Sequence, residues 1–156
     1  MSTGKRFVYP LEPLRLTREW ALDAARQALA QQNAVLAEAG QAMDQARRQE
    51  SMAQQQARAM AAGGGALPVQ QFLQHGRYLD WLGQAAQAAA QKLDEAGQER
   101  DALAVQLAAA QRALDGVERH RKQVRQAFQR ARAQEEARQA DDLWGVLQAG
   151  RSRHGN

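Results

Sequence analysis

The side chains able to do chemistry are few, and their spacing does not bring them together. His75, His120 and His154 are far apart, with no carboxylate or cysteine at ligand spacing, so neither a metal centre nor a catalytic imidazole is expected. Gly63-Gly64-Gly65 lacks the following Lys and Ser or Thr by which a glycine-rich loop grips a phosphate. Asp94-Glu95 pairs two carboxylates on an open helix face, where nothing raises a pKa for acid–base work. With no cysteine there are no disulfides or thiolate metal sites, which fits a reducing compartment. No enzyme activity, cofactor, metal or small-molecule substrate is expected.

What remains is charge and aromatic surface. Arg119, Arg121, Lys122, Arg125, Arg130 and Arg132 form a block of +6 with no acid until Glu135, in a chain whose formal charge is +4. Such a block meets nucleic-acid phosphates, an acidic protein surface or only solvent. The nucleic-acid reading is the weaker one, because no aromatics are interleaved and the arginines scatter around the helix. With Leu22 and Leu79 on the seams, Trp20 and Trp81 are expected to point outward, as partner surface or lying over neighbouring Arg and Gln stems, while Trp144 falls in a short amphipathic turn, Asp141 to Leu147, after helix two. Phe72 and Leu73 either cap an apolar end or bind something there.

The elements that must position these residues are helices. Ala, Gln, Arg, Glu and Leu dominate, aromatics make up 5 %, and the mix is that of long helices and coiled coils. Leu79, Ala86, Leu93, Arg100, Leu107, Leu114, Arg121 and Phe128 fall seven apart. Leu82, Ala89, Ala96, Leu103, Ala110, Val117, Val124 and Ala131 repeat three residues later, so the seam runs for eight heptads with only two charged positions in sixteen. Leu22, Leu29, Leu36 and Met43 form a second seam with Ala25, Gln32, Ala39 and Ala46. A seam of this length offers no cleft that excludes water.

The sequence predicts an all-α fold: a long antiparallel two-helix coiled-coil hairpin with an overhanging C-terminal helix. Residues 1–150 form a single hairpin, with helix one at about 14–62, the turn at 63–67, and helix two at about 68–140. Residues 151–156 are expected to be a disordered tail. Gly40, Gly83, Gly97 and Gly116 are read as soft points or close contacts. Facing residue numbers should sum to about 130, which sets Leu22 near Leu107, Leu36 near Leu93 and Met43 near Ala86. Helix two then overruns helix one by some 24 residues, roughly 36 Å at 1.5 Å per residue. On this reading Val124, Phe128 and Ala131 extend the seam where no partner helix covers it, beside the basic block, and mark a docking element. No window approaches the ~20 apolar residues of a membrane span, and no secretory signal opens the chain, so a cytoplasmic protein is expected.

Arg6-Phe7, Tyr9-Pro10-Leu11-Glu12-Pro13-Leu14, Arg18-Glu19 and Gln70-Gln71-Phe72-Leu73, together with the length and the hairpin, resemble the FliJ/YscO/HrpO family of flagellar and type III secretion stalk proteins. The triple Gly and the Ala/Gln enrichment depart from that family. The resemblance implies a non-enzymatic export component, cytoplasmic and peripheral to the inner membrane only through its partners. Its terminal end would enter the export ATPase hexamer, with Arg119, Arg121, Lys122, Val124, Arg125, Phe128, Arg132 and Trp144 as contacts. Its turn end would reach the cytoplasmic ring of the export gate through Phe72, Leu73, Leu79 and Trp81. Secretion chaperones are further implied partners. The alternatives are a generic coiled-coil scaffold or chaperone-like adaptor and, less favoured, a basic nucleic-acid-binding coiled coil.

Overall fold

A computed structural model describes residues 6–153, with side chains described for 6–151. Two helices account for nearly all of it: α1 spans Glu12–Ala62 and α2 spans Val69–Arg153. Among the described residues there is no strand. Helix α1 opens with Glu12 and Pro13 in its first turn, where an acid suits the helix dipole and a missing N–H is no loss. It stops at the glycines. Gly64 adopts a φ of +65°, the left-handed conformation that ends helices cheaply only when no Cβ is present. Pro68 sits just before α2, and its carbonyl accepts from the backbone N–H of Gln71 at 2.9 Å and of Phe72 at 3.2 Å, starting the helix.

The chain divides into two compact units, Leu22–Ala109 and the two end segments Met1–Ala21 with Ala110–Asn156. In the first, the arms pack antiparallel. Leu22, Met43 and Ala53 of α1 are buried, as are Leu82, Ala86 and Ala96 of α2, with Leu82 the deepest. Each buried leucine contributes about 1.5–3 kcal/mol by leaving water. The register matches the expected sum: Leu36 lies against Gly97, Leu93 against Gly40, and Gln32 against Ala96. Gln32 is a buried polar residue on the seam, and its amide donates to the Ala96 carbonyl at 3.1 Å. A Cβ at Gly40 or Gly97 would meet leucine methyls at 3.9 and 4.0 Å, and one at Gly116 would meet nothing. These are ordinary contacts or open space, so the glycines are soft points rather than sites of forced approach.

In the second unit the lead before α1 does not project into solvent. Residues 7–10 lie along α2, and Tyr9 is buried. The Phe7 ring packs on Phe128 with centroids 5.6 Å apart. Phe128 is therefore half-buried, as is Val124, and neither is the bare seam that the start of helix one at residue 14 implied. The irregular lead covers what α1 does not reach, because its aromatic side chains span the gap. Of the sixteen seam positions only Arg100, Arg121 and Ala131 are exposed.

Helix α2 also passes its expected end. It continues through Gly145 and Gly150 to Arg153, so the stop near Ala140 and a disordered stretch from residue 151 are both corrected. No proline follows Pro68, and a single glycine costs a helix only about 1 kcal/mol. Residues 154–156, including His154, lie outside the described residues. The bare part of α2 runs from 129, with every residue to 151 exposed. The overhang thus keeps nearly its expected length, about 37 Å, but sits further toward the C-terminus.

Candidate functional site

Two surfaces merit attention as docking sites, each inside one unit. The first is the end-segment unit. Glu12 and Glu19 bracket Arg15: its guanidinium lies 2.8 Å from Glu12 Oε1 and 3.1 Å from Glu19 Oε2. The Arg15 hydrogen bond holds the Glu12 carboxyl below the usual carboxylate range, working against partial desolvation, with the Arg15 and Arg121 charges adding to it. Glu12 Oε2 is shielded and lacks a hydrogen-bond partner, although the side chain as a whole is more than a third exposed. Arg121 Nε approaches that oxygen to 3.9 Å, too long for a hydrogen bond but close enough for charge attraction. The Tyr9 hydroxyl lies 2.8 Å from His120 Nδ1 and 3.4 Å from the Val117 carbonyl. Having one proton, it either donates to Val117 and accepts from a protonated Nδ1, or donates to a bare Nδ1.

Of the residues expected at the terminal end, Arg119, Lys122 and Arg125 are exposed on the part of α2 that the lead flanks. Arg121 faces Glu12, Phe128 is packed on Phe7 of the lead, and Val124 is half-buried. Arg132 and Trp144 lie on the bare overhang, with Arg132 paired to Glu136 at 2.8 Å. Leu143, Val146 and Leu147 are equally bare and extend the apolar surface beyond Trp144. The register rule held a signal for the buried lead: Phe7 with Phe128 and Tyr9 with His120 fall at sums near 130.

The second surface surrounds the turn. Phe72 is 69 % exposed and Leu73 is 54 % exposed, while Leu79 is half-buried. Phe72 and Leu79 join Met60 and Leu67 around an apolar recess of 180 Å³. Phe72 borders that recess instead of sealing it, so the cap is incomplete. Trp81 is exposed and stacks on Tyr78 at 6.2 Å, and Trp20 is exposed as expected.

Among the described residues no three His, Cys, Asp or Glu converge as metal ligands. No described helix is long and apolar enough to cross a membrane. Two long helices packed against each other, with exposed apolar side chains near the turn and along the end of α2, define a coiled-coil hairpin. The chain belongs to the flagellar FliJ protein family, whose model matches residues 7–153. It is therefore a component of the flagellar and type III export apparatus, in a family that is non-catalytic. Among solved structures it is similar to a protein assigned as a YscO homolog, CT670 of Chlamydia trachomatis, at 15 % identity and a TM-score of 0.57. That likeness covers 96 % of this chain and 99 % of the other, and it is one of fold. No curated protein matches the sequence.

Proposed function

We propose that this chain is the non-enzymatic central stalk that links the export ATPase hexamer to the export gate, acting in the cytoplasm. Family membership supports the apparatus, and the bare overhang from residue 129 supports the manner of attachment. An exposed helix that keeps its own charges and carries Trp144 and Leu147 without an internal partner is built to enter another protein. Arg119, Lys122, Arg125, Arg132 and Trp144 are its proposed contacts with the ATPase. Phe72, Leu73, Leu79 and Trp81 are those with the gate's cytoplasmic ring, and secretion chaperones are further partners.

The lead changes the best experiment. Removing residues 119–147 would also strip Tyr9 and Phe7 of their partners. Deleting 132–153 leaves those contacts whole. That deletion is expected to abolish ATPase binding in a pull-down while the remaining hairpin stays helical by circular dichroism. Undiminished ATPase binding would remove the overhang from the assignment.

A further inference from the structure

Beside Tyr9, within the end-segment unit, a groove of 320 Å³ runs between the start of α1 and α2. Leu11, Leu14 and Arg18 line it from one side, and Arg112, Ala113 and Gly116 from the other. The register that pairs Tyr9 with His120 puts Arg18 at the level of Arg112 and Leu14 at that of Gly116. One end of the groove is therefore basic from both walls, and the stretch beside it is apolar. The α2 wall is low there. A Cβ at Gly116 would meet nothing within 4 Å, so the space above it is open.

The charge at the basic end has no internal counterpart. No acid lines the groove, and neither Arg18 nor Arg112 forms an ion pair among the described residues. Glu12 and Glu19 hold Arg15 instead. At about 100° per residue those two acids lie roughly 100–120° around α1 from Arg18. They face the other flank, where Glu12 meets Arg121, about 180° around α2 from Arg112. Asp115, one turn beyond Arg112, accepts from the Gln111 amide at 2.9 Å and joins no ion pair among the described residues. An extended peptide cannot satisfy its backbone in this groove, because two helices offer no free edge to pair with. A helix carries its backbone hydrogen bonds within itself, and Ala113 with Gly116 lets its axis come close.

We propose that the groove binds an acidic amphipathic helix of another protein, packed as a third helix against α1 and α2. Carboxylates at one end of that helix are gripped by Arg18 and Arg112 together. Apolar side chains one and two turns along cover Gly116 and lie against Leu14 and Leu11. These residues are separate from the contacts proposed for the ATPase and the gate, and the inference does not depend on the export reading.

Fluorescence anisotropy with the full chain tests it. The probe is a dye-labelled, alanine-based helical peptide carrying a glutamate pair and then leucines one and two turns on. A second peptide has lysines in place of the glutamates. The glutamate peptide is expected to bind, more weakly as salt rises, and the lysine peptide is not. R18E with R112E should weaken the glutamate peptide about tenfold or more and admit the lysine peptide, since the matching signs are exchanged. G116L fills the groove and should abolish binding. Its melting temperature should hold or rise, because leucine is a better helix former than glycine. Equal binding of the two peptides, undiminished binding by G116L, or no binding of either overturns the proposal. Displacement of the peptide by duplex DNA would give the groove to nucleic acid, and self-association lost in G116L would give it to a second copy. Either result also overturns it.

Discussion

Tyr9 holds the lead by burial and by one strong polar contact. Its phenol reaches His120 Nδ1 at 2.8 Å, and its ring is nearly free of solvent. Tyr9→Phe keeps the ring and loses the hydrogen bond, so a cost of about 1 kcal/mol is expected in urea melts. A neutral result would mean that water replaces the phenol at no loss. Glu12 acts through its charge. Because its pKa is lowered in the folded chain from 4.5, its contribution is present above that value and disappears as pH falls through the lower, folded one. The melting temperatures of the wild type and of E12Q should therefore differ at neutral pH and converge in acid. A difference that stays constant or grows as pH is taken below the folded value contradicts the Arg15 assignment.

Along the helices, legibility followed the strength of the repeat. Both seams, the turn at the glycines and the register sum could be read, because a face of leucine and alanine every seven residues has one antiparallel solution. The lead was not legible by the same reasoning. Phe7 and Tyr9 have no periodicity, and an irregular segment is fixed by its tertiary contacts. The end of α2 was missed for a different reason. Glycines at 145 and 150 weaken a helix without ending it. For the candidate sites, exposure of Trp20 and Trp81 was legible from their phase against the seams, while that of Trp144, beyond the expected end of helix two, and the cover over Phe128 were not. Gln32 is the exception within the seam. Ala96 lies inside α2 and has its own helical hydrogen bond, so Gln32→Leu leaves no acceptor orphaned. This variant is expected to raise the melting temperature, at the expense of a polar residue that fixes register. A lower melting temperature would show that the amide's bond outweighs added apolar burial.

For the whole molecule, the two units place stability and bare surface differently. Residues 129–151 are all exposed, so the 132–153 deletion should leave the urea midpoint nearly unchanged. A clear drop would mean that the overhang supports the hairpin. The docked lead also bears on how the chain comes to be folded. Tyr9 and His120 are separated by 111 positions, so Tyr9 acquires its partner only after all the residues between them have been made. The hairpin can zip from its glycine turn through short-range contacts long before that, and closing the lead comes last. Until then Phe7 and Tyr9 stand bare, and a product cut short before Phe128 would never cover Phe7. The aromatic lead therefore marks whether synthesis has passed Phe128.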